Sequence, residues 1–86
     1  MGTEEKFDAR LNFSFGKLLK QWRLARGFSQ EELAFNSEIH RTFVSQLERG
    51  LKNPSLATLF ALATALNMKP SDMLCQIEHE FEKNLM

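Results

Sequence analysis

Eighty-six residues leave room for one small domain around one core, and 43% hydrophobic content without a long apolar run excludes a membrane span. Eleven basic and eleven acidic residues cancel, so a uniformly basic wrapping surface is excluded and any anionic partner must be met by one side of the molecule. The lone Cys75 cannot close an internal disulfide, which fits a reducing cytoplasm.

The polar, acidic N-terminus predicts no signal peptide, and Lys6 stands where a myristoylation signal requires Ser or Thr. Residues 1–12 mix charges with the isolated apolar Phe7 and Leu11, predicting an arm or an extra helical turn. Phe15, Leu18, Leu19 and Trp22 then recur at helical spacing with Lys17, Lys20, Gln21 and Arg23 between them. This predicts a first helix from about Phe13 to Arg26, stopped at Gly27, with Trp22 as a core anchor.

Ser29 with Glu32 three residues later is a capping-box signature, and Phe28 before it suits a hydrophobic staple. Leu33 and Ala34 of this second helix point inward. After a break near Asn36 to Glu38, Val44 and Leu47 share one face of a third helix, from about Arg41 to Arg49 and ended by Gly50. Arg41, Thr42, Phe43, Ser45 and Gln46 fall on its other faces, the side-chain set a helix needs to lie in a major groove. Ser55 caps a fourth helix with Leu56, Leu59, Leu62, Ala63 and Leu66 as its stripe, and Asn67 ends it. Pro70-Ser71-Asp72 opens a fifth by the same capping logic, in which Leu74, Ile77, Phe81 and Leu85 form a second apolar stripe beside Glu78, Glu80 and Glu82.

Arg-Gly-Phe-Ser-Gln-Glu-Glu-Leu-Ala at residues 26–34, Leu-Glu-Arg-Gly at 47–50 and Asn-Pro-Ser-Leu at 53–56 resemble, in order and spacing, the helix-turn-helix domain of the Cro/CI (XRE) repressor family. His-Arg-Thr-Phe-Val-Ser at 40–45 is similar to the corresponding helix of many small bacterial regulators, restriction-modification controller proteins among them. The resemblance covers about Phe15 to Leu74 and implies an all-α, five-helix, lambda-repressor-like fold. Residues 1–12 are then an arm, 13–75 the helix-turn-helix domain and 76–86 a helical extension. Glu38, beside Asn36 and Ser37, departs from the pattern, since the family often has Gly in this turn, where it tolerates a positive φ easily, so the angle between the helices is expected to differ in detail.

The implied function is sequence-specific binding of double-stranded DNA as a dimeric regulator. Docked by its N-terminal end, the third helix brings Arg41, Thr42 and Gln46 nearest the bases: Arg41 for a guanine, Gln46 for an adenine, Thr42 or Phe43 for a thymine methyl. Phe43 could equally serve the domain's own packing. Phosphate contacts are expected from Gln30, Ser45, Arg49, Lys52 and Asn53, although Lys52 alone also fits an ordinary solvated surface. The resemblance further implies an ion pair between Arg23 and Glu48 that ties the first helix to the third.

Charge distribution agrees with one DNA-facing side. Residues 16–54 hold seven cations against four carboxylates, whereas residues 55–86 hold two against four. The stripe of Leu74, Ile77 and Phe81 reads as a homodimer seam or as a helix folded back over its own domain. His40, His79 and Cys75 stand apart, so neither a metal site, a cofactor nor an enzyme is expected, and a chain this short leaves no room for a ligand-sensing domain. A rival reading is a protein-interaction module of the same fold, to which Phe35, Phe43 and Phe60 would contribute an aromatic patch.

Overall fold

A computed structural model describes residues 2–84, with side chains from Lys6 to Lys83; Leu85, expected in the last stripe, lies outside them. The architecture is all-α: α1 (Gly2–Ala25), α2 (Gln30–Ser37), α3 (Arg41–Glu48), α4 (Leu56–Ala65) and α5 (Pro70–Asn84).

Local chemistry sets most of these boundaries. At the start of α2 the capping box closes: Glu32 N–H donates to Ser29 Oγ at 3.0 Å while Ser29 N–H donates to Glu32 Oε1 at 2.9 Å. Ser55 Oγ likewise accepts from Thr58 N–H at 3.0 Å to open α4. For α5 the device differs from the expected side-chain cap, because Pro70 itself is the first helical residue, where its missing N–H costs nothing. α3 stops in a Schellman arrangement, with Leu51 N–H on Gln46 C=O at 2.9 Å and Gly50 at φ 75°. Asn67, at φ 55°, follows the end of α4.

α1 is longer than predicted, since it runs from Gly2 instead of starting near Phe13. Phe7, Leu11 and Phe15 are four residues apart, which extends the core stripe backward, but the charged neighbours hide this period in the sequence. What fixes the extra turns is a partner from the other end of the chain: Phe7 meets Phe81 edge-on, with ring centroids 5.2 Å apart. Lys17 and Glu80 add an ion pair at 3.0 Å across the same α1–α5 contact.

The core joins all five helices. Leu19, Leu33, Val44, Leu47, Leu62 and Met73 are fully buried, and fully burying such a side chain stabilises by about 1.5–3 kcal/mol. Trp22 sits at the core's edge, half-buried, its indole edge-on to Phe15 and its Nε1–H donating to Gln76 Oε1 at 2.8 Å. Gly16 decides how closely α1 approaches α3. A Cβ there would stand 2.5 Å from the Leu47 carbonyl oxygen and 2.7 Å from that of Glu48, so only glycine permits this contact. Among the described residues no helix is long and apolar enough to cross a membrane.

Candidate nucleic-acid interface

The two helices of the motif meet at a turn whose strain falls on Glu38. This residue adopts φ 60° and ψ 39°, the left-handed conformation that glycine takes without cost. Behind it, Ile39 N–H closes on Ala34 C=O at 3.0 Å, and the buried Ser37 hydroxyl donates back to Leu33 C=O. The turn therefore keeps its shape despite the substitution. His40 precedes α3 in an extended conformation, and its side chain makes no capping bond.

Val44 and Leu47 anchor the inner side of α3, which leaves the expected reading residues at graded exposure. Arg41 and Thr42 are exposed, whereas Ser45 and Gln46 are half-buried. Phe43 is half-buried too and packs against the core, so of its two expected roles the packing one is visible here. Arg41, Thr42 and Ser45 join Gln30 around a shallow depression between α2 and α3. At the far end of α3, Arg49 is exposed with Nε 3.4 Å from Ser45 C=O, and Lys52 is exposed in the following loop. Asn53, expected on a phosphate, is exposed in the same loop and also borders an apolar groove between α1, α4 and α5.

Behind the reading face lies a polar frame. Arg23 Nε and Nη2 donate to the two carboxylate oxygens of Glu48 at 2.6 and 3.1 Å, and Nη1 donates to Phe28 C=O at 2.9 Å. Two contacts went unforeseen in the sequence. Gln30 Nε2 donates to Glu48 Oε1 at 3.0 Å, so one of its two amide N–H groups is engaged behind the interface. Glu31 places Oε1 3.8 Å from Arg41 Nη1, bringing a carboxylate of α2 to the first residue of α3. Both contacts join residues of different helices, and no spacing rule within one helix could have flagged them.

Of the three α5 residues expected at a dimer seam, Leu74 is exposed, Ile77 is buried in its own core and Phe81 is half-buried beside Phe7. The extended α1 explains this, because it supplies the intramolecular surface that a shorter first helix would lack. Exposed apolar area moves instead to Leu74 and Leu56, which is 70% exposed, at the rim of the groove floored by Leu11, Phe15, Leu59 and Ile77.

Residues 19–73 match the family model HTH_3, described as helix-turn-helix. Control protein C.BamHI of Bacillus amyloliquefaciens is 43% identical over 61 residues, covering 70% of this chain and 75% of the relative. The crystal structure of the restriction-modification controller protein C.AhdI from Aeromonas hydrophila superposes with a TM-score of 0.70 at 44% identity, covering 72% of this chain and 94% of that one. The controller protein C.Esp1396I, solved as a tetramer with its natural 35 base-pair operator, matches with a TM-score of 0.75 at 27% identity, covering 83% and 93%. The chain belongs to the helix-turn-helix family of the Cro/CI (XRE) type and is similar within it to the restriction-modification controller proteins.

Proposed function

We propose that this protein is a small dimeric transcriptional regulator that binds double-stranded DNA sequence-specifically, with α3 in the major groove. The observation that carries this reading is the combination on α3 of a fully buried inner face and a far end tied to α1, with Arg41 and Thr42 projecting from the free end. A helix held from behind and exposed at its N-terminal end is the geometry by which such motifs meet base edges.

Arg41 is assigned to a guanine through O6 and N7, Gln46 to an adenine, and Thr42 or the exposed part of Phe43 to a thymine methyl. Ser45, Arg49 and Lys52 are assigned to phosphates. Gln30 contributes through its backbone N–H at the start of α2 and through its second amide N–H, the first being held by Glu48. Asn53, exposed in the same loop as Lys52, is assigned to a phosphate as well.

The partner subunit is a second copy, seated on the Leu56 and Leu74 rim. Two copies related by a two-fold axis read a pseudo-palindromic operator with half-site centres about 34–36 Å apart. No cofactor, metal, small-molecule ligand or catalytic step enters this reading, and the setting is the cytoplasm. Phe35, at 83% exposure, favours a second reading as a protein-interaction module, though the packing of Phe43 removes one member of its aromatic patch.

The test is electrophoretic mobility with a random-sequence duplex pool at two salt concentrations. A regulator enriches a subset of sequences with an inverted repeat and loses affinity steeply as salt rises. Retention of no duplex overturns the reading in favour of the protein-interaction module, and retention of all duplexes alike overturns its sequence specificity.

A further inference from the structure

We infer that Glu31 is a positioning residue for base recognition: it biases Arg41 toward the neutral edge of a base and against the charged backbone. The inference rests on the reading of α3 as the recognition helix. Three observations carry it. Glu31 Oε1 lies 3.8 Å from Arg41 Nη1, and the pair joins the first turn of α2 to the first residue of α3. Both side chains are open to an incoming ligand, at 63% exposed for Arg41 and 74% for Glu31. Arg41 also sits where a cation is disfavoured, at the positive end of α3, whose first turn has no acidic residue and whose preceding His40 supplies no capping bond.

The consequence follows from the charges. Any phosphate oxygen that reaches Arg41 must come close to the Glu31 carboxylate, and like charges at that range repel. A guanine offers O6 and N7, which are neutral acceptors and meet no such penalty. Arg41 has five N–H donors in a planar fork, so one edge can serve the carboxylate while another faces the base. Glu31 therefore weakens the contacts Arg41 would make on any DNA and leaves its base contact intact. Its effect is on discrimination, with affinity as such secondary.

The experiment uses the full chain, a duplex recovered from the random pool and a shuffled duplex of the same composition. Affinities are measured for the parent, Glu31→Gln, Arg41→Ala and the double variant across a salt series. Glu31→Gln is expected to bind the shuffled duplex more tightly, with a steeper salt slope, and to lose about threefold to tenfold in the ratio of recovered to shuffled affinity. In the Arg41→Ala background the same substitution leaves that ratio unchanged. An unaltered ratio in Glu31→Gln overturns the inference, as does a change that persists without Arg41, since either reports only the bulk charge of the surface. If the pool yields no preferred duplex, recognition by α3 itself fails and the inference falls with it, which separates the two failures. Thermal melting of Glu31→Gln at the parent's temperature confirms that the fold is intact, as expected for a side chain this exposed.

Discussion

Arg23 and Glu48, twenty-five residues apart, meet as a planar fork on a carboxylate, with only 10% and 4% of their side chains accessible to solvent. The pair joins α1 to the last residue of α3, and neither residue faces outward. The pair is expected to fix the tilt of α3. Removing the carboxylate strands a guanidinium in a dry site, a loss of about 3–5 kcal/mol. Glu48→Ala is thus expected to lower the urea midpoint of unfolding together with DNA affinity. Unchanged unfolding alongside lost binding would relocate Glu48 to the DNA contact itself.

A gain is expected at the turn. Glu38 holds a left-handed conformation that costs a non-glycine residue about 1–2 kcal/mol, and its side chain is exposed. Glu38→Gly should raise stability by about 1 kcal/mol once the added freedom of the unfolded chain is subtracted. Chemical denaturation checks this, and a destabilised variant would show that the glutamate side chain contributes more than its backbone strain removes.

Arg41→Ala should leave melting unchanged, because the side chain is exposed and its contact to Glu31 is long. Affinity should fall by about 1–3 kcal/mol for each half-site, and specificity should relax at one base position. Binding of a saturation library of operators reads both effects. Parent-like discrimination at every position would remove Arg41 from the set of base-reading residues.

Leu74→Glu should separate the subunits without unfolding either, since Leu74 is 48% exposed in the single chain. A charge buried at the seam should weaken self-association by more than about tenfold, measured by sedimentation velocity, and reduce operator affinity in parallel. Ile77 is unsuitable for this test because it is part of the core. A dimer that persists in Leu74→Glu places the two-fold contact elsewhere.

Acid should loosen the contact between α1 and α5. The hydrogen bond from Lys17 holds the Glu80 carboxyl below its usual range against an opposing push from desolvation, and the charges of Lys17, Lys83 and His79 add to the lowering. Because the folded value is the lower one, ionised Glu80 stabilises the fold above the ordinary carboxylate range. That contribution fades as pH falls through the folded value. The gap in urea midpoint between the parent and Glu80→Gln should therefore be present at neutral pH and close on acidification. A gap that stays constant with pH would mean that Glu80 acts by packing alone.

The sequence carries some of this fold openly and conceals the rest for identifiable reasons. Ser29 with Glu32, and Ser55 before its leucine stripe, are complete local signals, and the structure closes both caps. Val44 and Leu47 betray the inner face of α3 by spacing alone, while the pairing of Arg23 with Glu48 is legible only through family likeness. The length of α1 was hidden because its first turns depend on Phe81, more than seventy residues away in the chain. The same long-range packing turned Ile77 inward. Gln30 on Glu48 and Glu31 beside Arg41 were invisible for a related reason, as they record how two helices cross and not what either contains.

Gly16 also determines where α3 is held. The absent side chain lets the last carbonyls of α3 rest on α1, and the Arg23 fork grips the same end, while His40 leaves the opposite end uncapped. α3 is thereby held most firmly at its root, while its tip rests on the packing of Val44 and Phe43 and the long Glu31–Arg41 contact. Any side chain at residue 16 would lever that root away from α1 and carry the exposed Arg41 and Thr42 with it.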